Sequence, residues 1–144
     1  MFLSLFSSKN QKLVKKWMHE HEQIVVLAHK VISEYLKHDY DAAKKELEAL
    51  NTLAVNHVMD EDIEFFRLLR EDEKLDSETK KLVEEFVKSF KGVKVTLSNF
   101  LTKYTQPEAT LDEEFFNTFN EIVSVLTKRI AFEEKNLYAR LNSK

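Results

Sequence analysis

Five side chains could do chemistry together: His21, His57, Glu61, Arg129 and Glu133. His57 and Glu61 are four residues apart, as are Arg129 and Glu133, so on a helix each pair projects from one face. Two imidazoles and two carboxylates offer nitrogen and oxygen donors to a transition metal such as iron, manganese or zinc. A single H-x-x-x-E pair carries little weight by itself. The same pair set level with a third ligand and facing a second glutamate carries far more. Buried one by one, such groups would each cost several kcal/mol, so they must satisfy one another or hold a cation.

The elements that position them follow from what the chain lacks. Its 144 residues contain one glycine, Gly92, and one proline, Pro107, where average usage would supply about ten and about seven. Sheets of short strands, phosphate-binding loops and nucleotide folds all need turn-forming glycines, so these classes are excluded and a few long helices remain. The net charge of -3 comes from 22 basic and 25 acidic residues spread along the chain, which recommends no nucleic-acid partner. Cysteine is absent. This removes disulfides, thiolate metal sites and cysteine nucleophiles, and fits a cytoplasmic protein. No run reaches the roughly 20 apolar residues of a membrane span. Residues 1–8, which open with the apolar MFLSLF, read as an N-terminal strap too short for a signal peptide, and residues 9–144 as one bundle.

Capping signals at Ser8-x-x-Gln11, Asp39 or Asp41, Asp76 or Ser77, and Thr110-x-x-Glu113 predict four helices, over about 9–38, 40–70, 77–104 and 111–141. Short connections make successive helices antiparallel, which gives an all-α, up-down-up-down four-helix bundle. The first apolar stripe runs Val14, Met18, His21, Val25, Ala28, Ile32, Tyr35, and the second Ala43, Leu47, Leu50, Ala54, His57, Glu61, Phe65, Leu68. The third, Val83, Phe86, Phe90, Val93, Leu97, Phe100, Tyr104, is apolar up to its terminal tyrosine. The fourth runs Phe115, Phe119, Ile122, Leu126, Arg129, Glu133, Leu137, Arg140.

His21 lies 17 residues before position 38 and His57 lies 17 after position 40, so the two should face each other across the first turn. The same counting sets Phe86 beside Glu61, Phe90 near His57, and Arg129 with Glu133 within about a turn of that layer. The halves also repeat. His57 to Leu69 aligns without gaps on Arg129 to Leu141, and the first helix aligns on the third with His21 opposite Phe90 and Tyr35 opposite Tyr104.

On these residues the chain resembles the hemerythrin-like (HHE) cation-binding bundles, with His57-x-x-x-Glu61-Asp62 echoed by Glu133-Glu134. The resemblance implies a pair of irons bridged by two carboxylates and otherwise held by histidines, serving oxygen binding or oxygen, redox or iron sensing. It carries the bridging carboxylates onto Glu61 and Glu133 and the ligands of one iron onto His21 and His57. The histidines of the other iron fall on Phe90 and Arg129, which abolishes that half-site.

Two readings follow. In the first, His21, His57, Glu61 and Glu133 hold one metal, most simply iron, and Arg129 holds the carboxylates from outside the ligand set. In the second, the bundle is metal-free, a structural or interaction module whose Arg-Glu-His network closes on itself. As a sensor it would bind O2 or another small ligand and signal to a protein partner in trans. No E-x-x-H, H-E-x-x-H or cysteine motif supports an enzyme, with peroxide turnover at a mononuclear iron the remaining catalytic reading.

The remaining candidates have plainer expectations. His19, His29 and His38 are surface or boundary residues, and Asp60, Asp62 and Glu64 form a solvated face from which Asp60 can orient the His57 ring. The phenylalanines, among them Phe65, Phe66, Phe86, Phe90, Phe115, Phe116 and Phe119, pack the core and could line a dry pocket for oxygen. Gly92, two residues from Phe90, predicts a close helix approach or a local bulge in the third helix.

Overall fold

A computed structural model describes residues 9–71 and 76–142; the apolar strap and Ser8 lie outside them. Four antiparallel helices form the bundle: α1 (Lys9–Leu36), α2 (Tyr40–Glu71), α3 (Ser77–Tyr104) and α4 (Glu113–Phe132). The fourth continues without a break through a π-helical turn, Glu133–Tyr138, into α5 (Ala139–Asn142). Among the described residues, no helix is long and apolar enough to cross a membrane.

The helix ends have local causes. α1 stops two residues earlier than position 38 because Asp39 N–H donates to Glu34 O and His38 N–H to Tyr35 O, the crossed pattern that closes a helix. In this glycine-poor chain the left-handed residue of that motif is His38, with φ of 62°. Asp39 then caps α2 by accepting from Ala42 N–H at 3.1 Å. Asp76 caps α3, accepting from Thr79 N–H at 2.7 Å. The fourth helix starts at Glu113 instead of 111, because Asp112 and not Thr110 is its cap, accepting from Phe115 N–H at 2.9 Å.

Burial on α1 follows Val14, Trp17, His21, Ile24, Ala28 and Val31. The predicted stripe is therefore one residue off at three places. Trp17 is fully buried where Met18, 41% exposed, was expected, Ile24 replaces Val25, and Val31 replaces Ile32. The apolar core falls into two clusters. One holds Ala28, Leu47, Phe100, Phe115 and Phe119 towards the α1–α2 turn, and the other holds Trp17, Phe65, Phe86, Leu137 and Tyr138 towards the opposite end. A polar layer separates them.

Gly92 plays neither role expected of it. α3 is unbroken there, and a Cβ added to Gly92 would meet nothing within 4 Å. The bulge is in the fourth helix, at the site itself.

Candidate metal centre

His21 from α1, His57 and Glu61 from α2, and Glu133 from the first residue of the π-turn make up the polar layer. They are 2%, 3%, 4% and 3% exposed, and their candidate ligand atoms all lie within 4.8 Å of one another. The expected face-off holds: the His21 and His57 ring centres are 4.7 Å apart. His57 Nε2 stands 2.9 Å from Glu61 Oε1, and His21 Nε2 stands 3.8 Å from Glu133 Oε1.

The outer nitrogens of both rings meet carboxylates. His21 Nδ1 is 2.9 Å from Glu134 Oε2, and His57 Nδ1 is 2.7 Å from Glu20 Oε1. An ionised carboxylate only accepts, so each Nδ1–H donates outward and each Nε2 turns a lone pair inward. His57 Nε2 is buried and out of line for a hydrogen bond with Glu61 despite the short separation. A lone pair facing a carboxylate repels it unless a cation or a proton stands between them. Two such nitrogens and two carboxylates converging in a dry layer therefore fit a metal ion, with Glu20 and Glu134 fixing the tautomer and the ring orientation.

Tyr138, at the end of the π-turn, also enters the cluster. Its hydroxyl donates to Glu61 Oε2 at 2.5 Å and lies 3.0 Å from Glu133 Oε2 and 3.4 Å from His21 Nε2. A phenol has one hydrogen, so satisfying both carboxylates in the metal-free protein places a further proton on Glu133. Burial, with Glu61 beside it, pushes the Glu133 carboxyl well above its usual range. Burial also raises Glu61, against the hydrogen bonds from Glu133 and Tyr138. His21 is lowered, again chiefly by burial, and Tyr138 is pushed up by burial and the two carboxylates.

Arg129 does not hold the carboxylates. Its guanidinium carbon lies 4.2 Å from the ring centre of Phe86 and 4.5 Å from that of Phe90, and the group donates to Ser89 Oγ at 3.1 Å and, more weakly, to Phe86 O at 3.5 Å. Glu133 and Glu61 act on it through space only, opposing the lowering that burial causes. The two positions onto which the resemblance carries the second half-site, Phe90 and Arg129, are thus stacked on each other.

Asp60 does not orient His57 either. It accepts from Trp17 Nε1 at 3.1 Å and Lys16 Nζ at 3.0 Å, and Glu20 takes the role instead. His19, His29 and His38 are exposed, as expected. Of the phenylalanines, Phe66 points outward. Below the polar layer lies a small apolar cavity of about 40 Å³, lined by Ile24, Ala28, Ala54, Leu97, Phe119 and Leu126 among others. Ile24 and Ala54 are each three residues from a site histidine, on its cavity side.

Sequence reasoning missed Glu20, Glu134 and Tyr138. Glu20 and Glu134 sit next in the chain to site residues, a signal that was present. Tyr138 had none, because its place depends on the π-turn.

The scan of family models, the search of curated proteins and the search of solved structures find no match to this chain. The site itself carries the likeness. An antiparallel four-helix bundle holds a compact His21-His57-Glu61-Glu133 cluster that resembles a hemerythrin-type metal site.

Proposed function

We propose that this protein binds a single iron ion through His21, His57, Glu61 and Glu133 and uses it to sense oxygen or redox state. The observation that carries the reading is the convergence of two imidazoles and two carboxylates, all buried, with their candidate ligand atoms within 4.8 Å of one another. Two carboxylates balance a divalent charge, and Arg129 stacked on Phe90 leaves no ligand pair for a second ion. Bound iron would supply one-electron chemistry and affinity for a small ligand such as O2. The protein's own residues do the rest. Glu20 and Glu134 hold the imidazoles, the apolar cluster around Phe86 excludes water, and the cavity beside Ile24 and Ala54 has room for a diatomic molecule.

Signalling would run to a protein partner in trans, in the cytoplasm, and we assign no enzymatic turnover. The test is elemental analysis of protein expressed with iron, manganese and zinc supplied. About one equivalent of iron is expected. Folded protein that stays free of metal and resists loading favours the second reading, a metal-free interaction module. That reading draws on the hydroxyl of Tyr138, which closes the network where Arg129 was expected to.

A further inference from the structure

We propose that Tyr138 is a fifth donor to the metal, an oxygen ligand that turns the cluster into a two-nitrogen, three-oxygen site suited to ferric iron. The inference rests on the iron reading above and adds a ligand to it. Three of the four donor side chains already meet the Tyr138 hydroxyl: Glu61 at 2.5 Å, Glu133 at 3.0 Å and His21 at 3.4 Å. An ion held by all four donors must share their common space with that oxygen.

The phenol cannot swing away at little cost. Tyr138 is 1% exposed, its ring lies nearly parallel to His21 with centres 5.5 Å apart, and Trp17, fully buried, stands 5.5 Å from it on its own account. Dense packing of this kind fixes a rotamer. The oxygen is therefore either a ligand or a permanent obstacle.

The backbone supports the first alternative. Phe66 is the counterpart of Tyr138 in the repeat and is 59% exposed, five residues after Glu61 on a regular helix. In the second half a π-turn spans Glu133–Tyr138 and brings the residue five after Glu133 back to the site. Such turns weaken a helix and concentrate at functional sites. Here the turn delivers a phenol to three of the four donors. Phenolate oxygen is a hard ligand, which favours ferric iron over softer ions. On binding, the phenol O–H bond breaks, an iron–oxygen bond forms and the proton leaves to solvent; iron supplied as ferric ion undergoes no change of oxidation state.

The experiment adds one equivalent of ferric citrate to metal-free protein and reads retained iron, the visible spectrum and resonance Raman. Retained iron with a phenolate-to-ferric charge-transfer band is expected, with vibrations that shift when the tyrosines are ring-deuterated. Tyr35 and Tyr40 pair with each other near the α1–α2 turn and Tyr104 packs on Phe115, so the label reports Tyr138 even if Tyr138→Phe fails to fold. In a folded Tyr138→Phe the band should be lost, whether or not iron is retained. Iron retained by the wild type without the band, or a band that survives Tyr138→Phe, overturns the proposal and leaves the iron reading standing. No iron retained by the wild type overturns the iron reading itself.

Discussion

Glu133 and Tyr138 are five residues apart, yet their side chains meet, the Tyr138 hydroxyl 3.0 Å from Glu133 Oε2. On a regular α-helix residues at that spacing point roughly 140° apart. The π-turn closes the gap, and both Leu137 and Tyr138 are buried as a result.

Removing the hydroxyl should destabilise the metal-free protein. Tyr138→Phe leaves two buried carboxylates short of a partner, a loss of about 1–3 kcal/mol. Urea unfolding measures it. An unchanged midpoint would show that the hydroxyl contributes nothing to the closed network.

What the sequence made legible was whatever follows a constant helical period. The 3-4 spacing of His57, Glu61, Phe65 and Leu68, and the equal distances of His21 and His57 from the first turn, place three ligands without any structure. Glu133 followed from the repeat. Tyr138 did not, because the repeat maps it onto outward-facing Phe66 and nothing local announces a change of period. Arg129 was misplaced for a different reason. Charge complementarity draws Arg129 towards Glu133, while stacking on Phe86 and Phe90, plus hydrogen bonds to Ser89 and the Phe86 carbonyl, draws the guanidinium the other way.

Glu20 and Glu134 touch the imidazoles and not the ligand atoms' shared space. Glu20→Gln and Glu134→Gln should each weaken metal binding by about 10–100-fold while leaving helix content intact. Competition against a chelator of known affinity reads this directly. Wild-type affinity in both variants would mean that the carboxylates do not orient the rings.

Arg129 stacks on Phe90, and the family resemblance would place the ligands of a second ion at these two positions. Arg129→His combined with Phe90→His should raise the capacity of the bundle from one metal equivalent to two. A double variant that still stops at one would argue against the alignment of the two halves.

The pH dependence of metal-free stability should carry the signature of Glu133. Its folded-state value is raised, so its stabilising contribution is whole below the ordinary carboxylate range and is lost as pH rises through the folded value. His21, lowered from 6.5, acts in the other sense and loses its contribution as pH falls. Glu133→Gln, the isostere of the protonated acid, isolates the first effect. Measured by thermal unfolding without metal, its stability relative to wild type should grow as pH rises. A difference independent of pH would show that Glu133 is not held protonated.

The central claim is that His21, His57, Glu61 and Glu133 act together on one ion. Titrating metal-free protein with cobalt(II), followed by its visible absorption, tests this most directly. A sharp break at one equivalent is expected, and it should disappear in His57→Ala and in His21→Ala. Absence of a break in folded wild-type protein, or a break that survives loss of either histidine, would contradict the claim.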